Sequence, residues 1–530
     1  MTGAAKLARL ACGAALCAAF AGCNGAAGTI AKIPTGVTYP SSGVPWLTFA
    51  SNEWHDADSS IASQPLDRIH WQQPVDLAPP DAVAKLSVRP AGAEELLIHY
   101  GSPIFTAADS VIVPVKTSST GTYRVDVRHA ATGALIWQYT SDYVVPAHNW
   151  WPSYNVALTP QNQLYFPGAG GKLYYRDDPD VSSGTINTAV FYGQSTYNAD
   201  PSAYNASIMI NTPITSDSHG DVFFGFTVAG TNPDNIQGGI ARIDANGNGT
   251  WVAAATAAGD PSVTQAAMNS APALSPDEST VYVAVASSQD WSYGYLLGLN
   301  STTLATEYKA WPTDPASGMQ SYIVQDGTAS PMVGPDGDVY FGVLENPESS
   351  HNDRGWLLHY DSTLTTIKTP GSFGWDDTPS LVPTSMVPSY TGTSPYLLFT
   401  KYNNYAGIGT GNGHNEIAVL DPDATEPDPI ISTTTVMKEV LTIEGVTPDP
   451  ENPGGVKEWC INSAAVDPFS KVILAPSEDG HVYRWDMTTN TFTQSIQVST
   501  GIGEAYTPSI VEPDGQVFSI QDATLFAIGE

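Results

Sequence analysis

Residues 328–342 read TASPMVGPDGDVYFG, and a closely similar phrase, TPSIVEPDGQVFSI, stands at 507–520. Each copy has a small residue and a Pro, a short apolar pair, a Pro-Asp-Gly turn, and a run of β-branched and aromatic residues. Gly takes positive φ at no steric cost, so Pro-Asp-Gly is tight-turn chemistry. Val339-Tyr340-Phe341 and Val517-Phe518 are the residue types that fit a pleated, packed surface. The phrase therefore predicts strand, hairpin, strand. Working outward, it recurs at 102–115, 212–226, 271–287 and 378–401. Weaker copies stand at 157–168 and 463–486, where Ala157 and Ala464 replace the Pro. Eight copies at comparable spacing are the strongest signal in the chain.

A third strand, a second turn and often a Trp follow the phrase, as in DVRHAATGALIWQY (126–139), RIDANGNGTW (242–251) and GLNSTTLATEYKAW (298–311). Four strands per unit, repeated eight times, predict an all-β fold: an eight-bladed β-propeller of four-stranded antiparallel blades. Such an array escapes the size limit of a single core, because each unit packs only on its neighbours. The last copy stops after Leu525-Phe526-Ala527-Ile528, one strand short. Ile69-His70-Trp71-Gln72 resembles Leu135-Ile136-Trp137-Gln138, so an N-terminal strand is expected to close the ring and remove its open edges. The propeller is placed at 61–530. The long step from 379 to 464 predicts an insertion at about 421–458, rich in Pro, Asp and Glu.

The repeat, with Pro-Asp-Gly-x-Val-Tyr and its Trp-containing ending, resembles the quinoprotein-type (PQQ-like) propeller repeat. The resemblance covers roughly 61–530 and marks fold rather than activity. Quinone-dependent alcohol dehydrogenases of that superfamily use a pair of adjacent cysteines over the cofactor. This chain has none, so the resemblance implies no PQQ here. Other relatives are non-enzymatic, including the lipoprotein scaffold of outer-membrane protein assembly.

Lys6 and Arg9 precede an apolar, Ala-rich run from Leu10 to Ala21, the pattern of an export signal. The run is shorter than the ~20 residues that span a bilayer. Phe20-Ala21-Gly22-Cys23 resembles the lipobox of bacterial lipoproteins, with Phe20 where Leu is commoner. The resemblance implies a 1–23 signal peptide, lipidation at Cys23 and a cell-envelope location, at the outer membrane in a Gram-negative host. Residues 24–60 are then expected to be a flexible tether. Cys460 is the sole cysteine beyond the leader, which excludes an intrachain disulfide and a thiolate cluster. The net charge of −33 excludes nucleic acid as a partner and leaves the lipid anchor as the only expected membrane contact. A monomer is expected.

Asp244-x-Asn246-x-Asn248-Gly249 resembles half of a calcium loop, although Ala255 stands where the closing Glu belongs, and the segment falls on a predicted hairpin turn. Calcium is the one cofactor the sequence admits. Trp150, Trp151, Tyr154, Trp291, Tyr293 and Tyr295 read as packing between blades. Exposed, they would suit a glycan or a protein hot spot. A polar residue precedes the phrase repeatedly: His99, Asn155, Asn211, Asn269, Asp326, Asp377, Asn462 and Glu504. These either converge on a ligand at the channel mouth or bridge adjacent blades. Asp376 and Asp377 with Glu458 or Glu504 form the only carboxylate grouping for acid–base work. The sequence thus points to a non-enzymatic envelope lipoprotein binding a protein or glycan through a propeller face. A secreted polysaccharide lyase or glycoside hydrolase is the alternative.

Overall fold

The computed structural model describes residues 46–79, 100–148, 151–152, 154–287, 293–323, 329–500 and 508–530. Eight antiparallel sheets follow one another along the chain. Their innermost strands begin at Ile104, Ala157, Thr215, Ala273, Met332, Ser380, Ala465 and Ile510, each at or just after the repeated phrase's marker residue. The fold is the eight-bladed propeller. Gly337 and Gly515 of the two Pro-Asp-Gly turns sit at φ 87° and 93°, in the left-handed region that glycine adopts freely. Second strands such as Thr280–Ala286 and Tyr396–Tyr402 are buried along their whole length because blades cover both faces. Outer strands such as Thr491–Gln497 alternate between exposed and half-buried. No helix among the described residues is long and apolar enough to cross a membrane.

Ring closure follows the sequence reading. Strand Arg68–Pro74 pairs antiparallel with Thr524–Gly529 and becomes the outer strand of the eighth blade. The expected insertion at 421–458 is different. Glu416–Pro427 and Thr435–Glu444 are the third and fourth strands of the sixth blade, a long hairpin within the sheet. Acidic and Pro residues survive there because the hairpin overshoots the blade and its end meets solvent. In the fifth blade only three strands form, and single bridges at Ile367 and Gly371 take the fourth place.

The largest departure is the tether. Residues 46–60 are packed inside the ring, with Trp46, Phe49, Ala50, His55 and Ala57 buried. This segment circles the channel and meets the innermost strands in blade order. Trp46 O accepts from Phe105 N (3.0 Å), Leu47 O from Leu158 N (2.7 Å), and Thr48 Oγ1 donates to Ile214 O (2.5 Å). Glu53 O, Trp54 O, Asp56 O and Ala57 O then accept from Leu274, Val333, Leu381 and Val466 N at 2.8–3.0 Å. The chain leaves between the seventh and eighth blades, where Gln64 N donates to Gly515 O and Ser63 is held by Asp467. An innermost strand has an unpaired edge facing the channel, and a buried N–H without a partner is costly. The segment supplies the missing acceptors. Its tight path places Ala50, Ser51, His55 and Ala57 at positive φ, a strain the ring of hydrogen bonds holds in place.

Candidate functional site

Antiparallel alternation gives the ring two unlike ends. One carries the short turns between first and second and between third and fourth strands, and is here called the turn face. The other carries the longer connections, including helices Gln194–Ala199, Pro201–Ser207 and Ala254–Ala258, and is the loop face. The circling segment meets the innermost strands near the turn face, beside Asp217, Glu278 and Asp467.

The polar residues before each phrase lie on the loop-face side, and the described ones are buried: Asn155 5 %, Asn211 4 %, Asn269 2 %, Asp377 0 % and Asn462 1 % exposed. They mostly staple one blade to the next. Asn155 Oδ1 accepts from Ser102 N (2.9 Å), Asn211 Nδ2 donates to Ala266 O (2.9 Å), and Asn462 Nδ2 donates to Asp376 O (3.3 Å). Ser330 and Thr378 continue the series between the fourth, fifth and sixth blades. Asp377 accepts from Thr400 Oγ1 (2.8 Å) and Lys401 N (3.4 Å) within its own blade. Asn155, Asn211 and Asn462 thus each make at least one bond to the neighbouring blade. His99, Asp326 and Glu504 lie outside the described residues, as do Cys23, Trp150 and Trp291.

The Tyr405 hydroxyl lies within electrostatic range of Glu458, Cys460 and Asp376. Burial, and then the Glu478 charge, raise Glu458 well above the usual carboxylate range. Burial pushes Asp377 up to about 7 against the opposing pull of Lys401. Asp377, fully buried and hydrogen-bonded, is out of reach of a polymer substrate. The Asp244 turn is closed on itself, with its carboxylate accepting from Asn246 N, Asn248 N and Asn248 Nδ2 at 2.8–3.0 Å. Burial works against the charge, yet those bonds together hold Asp244 below its ordinary pKa in the hairpin turn between strands Gly239–Ile243 and Gly249–Ala253. Three other groups place metal-ligating atoms within 4.8 Å of one another: Glu458-Cys460-Glu478, Asp217-His219-Glu278 and Asp109-Glu512-Asp514.

A concavity on the loop face is lined by Ser270, Tyr322, Ala329, Phe341, Trp375 and Asp376. An aromatic patch borders it. Tyr322 stacks on Tyr293, with ring centroids 5.6 Å apart and an interplanar angle of 21°. Trp311 meets Tyr295 edge-on at 6.4 Å. Tyr293 and Trp311 are 51 % and 57 % exposed, and Met319 is also exposed. The expectation that Tyr293 packs between blades is thus corrected. Sequence reading took Trp311 as a blade-ending Trp and passed over Tyr322. The signal in the sequence was Pro312, which ends the strand pattern directly after Trp311.

This architecture defines a fold class, the eight-bladed β-propeller of four-stranded antiparallel blades. Solved structures agree. A europium-containing methanol dehydrogenase matches 91 % of this chain and 89 % of its own at a TM-score of 0.53 and 10 % identity. The quinohemoprotein alcohol dehydrogenase of Comamonas testosteroni matches 92 % of this chain and 81 % of its own at 0.51 and 11 % identity. One from Pseudomonas putida HK5 matches 92 % and 76 % at 0.50 and 11 % identity. At these identities the likeness shows the fold alone. No protein-family model and no curated protein matches the chain. The quinone cofactor of such dehydrogenases does not fit the residues present. Cys460 is buried beside two carboxylates and has no neighbouring thiol. The Arg354 guanidinium, which could meet an anionic quinone, is buried and donates to Ser372 O (2.9 Å) and Asn403 O (2.7 Å).

Proposed function

We propose that this chain is a non-enzymatic, exported envelope lipoprotein that binds a protein or glycan on its loop face. The observation that carries the reading is the exposed Tyr293–Tyr322 stack with Trp311 beside the concavity. Half-exposed aromatic rings with polar rims supply contact area at little conformational cost, which suits both sugar faces and protein hot spots. The sealed Asp377 and the blade-to-blade use of the amides favour binding over acid–base chemistry.

A photo-activatable phenylalanine placed at Trp311, in cells and with purified envelope polysaccharides, tests the face. Crosslinks at 311 but not at Phe469 on the opposite end support the reading. Equal labelling at both ends, or turnover of any polysaccharide by the wild-type protein, overturns it. The anchor is tested separately: Cys23→Ser is expected to release the protein from the membrane fraction, and an unchanged fraction rejects lipidation.

A further inference from the structure

On the loop face, residues 344–355 join strands Val339–Val343 and Trp356–Tyr360 of the fifth blade and fold around four buried ionisable side chains, Glu345, His351, Asp353 and Arg354. Glu345 accepts from His351 N (3.2 Å), Asp353 N (2.7 Å) and Gly355 N (2.7 Å), which pins the loop to one carboxyl group. The Asp353 carboxyl lies within hydrogen-bonding reach of Glu345, and Ser349 is near enough to ease its charge. Yet neither Asp353 oxygen is met by a well-aligned N–H or O–H. Two carboxylates side by side in a site closed to water repel each other. One proton between them removes the repulsion and supplies the missing donor. Burial, and then the Asp353 charge, accordingly push Glu345 up to about 7. His351 is held from both sides as well. Its Nδ1 faces Gly355 O (2.9 Å) and its Nε2 faces the Asp428 carboxylate (3.2 and 3.3 Å), while the ring stacks on Trp356 at 3.8 Å and 3°. A carbonyl oxygen only accepts, and Asp428 takes donors from Ile430 N, Ile431 N and Ser372 Oγ at 2.5–2.8 Å. Burial works against the Asp428 charge, but these contacts and His351 hold it down to about 2. Both ring nitrogens of His351 therefore donate, and the ring carries a proton on each.

We propose that residues 344–355 form a pH-sensitive clasp, held shut by one proton between Glu345 and Asp353 and by the second ring proton of His351. When the first proton leaves for solvent, two buried charges stand against each other. When the second leaves, one N–H remains for two acceptors, and the link to the sixth blade or to Gly355 is lost. Ser349, Asn352 and Asp353 sit at φ 61°, 59° and 56°, a strain that persists only while the surrounding contacts hold. Glu345 binds its proton more tightly folded than unfolded. The stability that proton lends is complete below an ordinary carboxyl value of about 4 and fades as pH rises through about 7. Loss of the His351 proton acts in the same direction. Among the described residues, the other charged groups against the loop are Arg354, facing Glu416 and Glu439, Glu348 beside the Tyr322 hydroxyl, and Asp314. Asp314 accepts from Asn346 N and Trp356 Nε1 at 2.9 Å, and Asn346 Nδ2 donates to Gln320 O (2.7 Å). The clasp thus supports the segment that bears Met319 and Tyr322. Opening it loosens the platform of the aromatic patch, a consequence that rests on the proposed loop-face binding, whereas the clasp itself does not.

The test is hydrogen–deuterium exchange of the full chain at pH 5.5 and pH 8.5, with each rate corrected for intrinsic exchange. Peptides covering 344–356 are expected to lose about tenfold or more in protection at the higher pH, against less than about threefold for strand Thr280–Ala286. Asp353→Asn, whose amide can donate to an ionised Glu345, is expected to lose less than about a third of what the wild type loses. A wild-type loop that loses no more protection than Thr280–Ala286 overturns the proposal without any variant. An Asp353→Asn loop that loses as much as the wild type overturns it too. Crosslinking at position 311, read at the same two pH values, keeps the clasp and the binding face apart. A clasp that opens while crosslinking stays constant rejects the link to the aromatic patch, and constant protection with intact crosslinking rejects the clasp alone.

Discussion

The two ends of the ring are made from the same repeat, yet they differ in what fills them. At the turn face the connections are short, and residues 46–58 occupy the channel, hydrogen-bonded to one innermost strand after another. At the loop face long connections carry helices, a concavity and exposed aromatic rings. Buried acid lies at both ends, with Glu345, Asp377 and Glu458 at the loop face and a second set at the turn face. Burial raises Glu53, Asp56, Asp58 and Asp217 above their ordinary values, with each other's charges adding to the effect at several of them. One end is therefore built for closure and the other for contact. The N-terminal segment fills one mouth of the propeller and leaves the other for the ligand of the proposed function.

The largest expected effect lies in the circling segment. Phe49 is 6 % exposed and packs edge-on against His55 at 5.2 Å. Phe49→Ala should cost about 3–5 kcal/mol in urea unfolding, the range for a buried aromatic ring replaced by a cavity. Phe469→Ala, at a turn-face site that is 62 % exposed, should stay within about 0.5 kcal/mol. Equal costs would mean that the segment lies in the channel without holding the ring together.

The next effect is pH-dependent and separates the two ends. Asp58 is pushed up to about 8 by burial and by the Asp56 and Asp467 charges, whereas Asp377 reaches about 7. A carboxyl whose folded value is raised binds its proton more tightly folded than unfolded. The stability it lends is complete below an ordinary carboxyl value of about 4 and fades as pH rises through the folded value. Both carboxyls should therefore lend less stability toward alkaline pH, Asp58 over a window reaching about 8 and Asp377 over one reaching about 7. Asp58→Asn should narrow the melting-temperature difference between pH 4.5 and pH 8, measured by circular dichroism. Asp377→Asn should narrow it less, because Lys401 already offsets part of that cost. The reverse order would contradict the ranking of Asp58 above Asp377.

The smallest effect on stability, and the largest on binding, is expected at the loop face. Trp311→Ala should leave urea unfolding within about 0.5 kcal/mol of wild type. With Tyr293→Ala added, retention by a crosslinked envelope partner should be lost. A double variant that unfolds early while still binding would make the patch a packing feature and return the search to the concavity.

The repeated phrase made the blades legible because its periodicity is local: a Pro-Asp-Gly turn and a β-branched run specify a hairpin wherever they occur. Eight hairpins with Trp-ended outer strands leave few architectures, and the unpaired last strand announced its partner at Ile69–Gln72. Residues 46–60 were not legible, since a segment held by one hydrogen bond per blade needs no periodicity and few special residues. Even its left-handed positions at Ser51 and His55 carry no glycine to mark them. The same limit applied to the sites. That Asn155, Asn211 and Asn462 precede their strands is written in the chain, but whether their amides meet a ligand or the next blade depends on how tightly the blades pack. Asp109 stands some four hundred residues from Glu512 and Asp514, and no spacing rule joins them. The sequence by itself determined the repeat, the strand order and the closing strand, because hydrophobic pattern and turn chemistry act between neighbours. Only the tertiary structure decided which end is closed, which aromatics reach solvent and where carboxylates meet, because burial and charge proximity are properties of the closed ring.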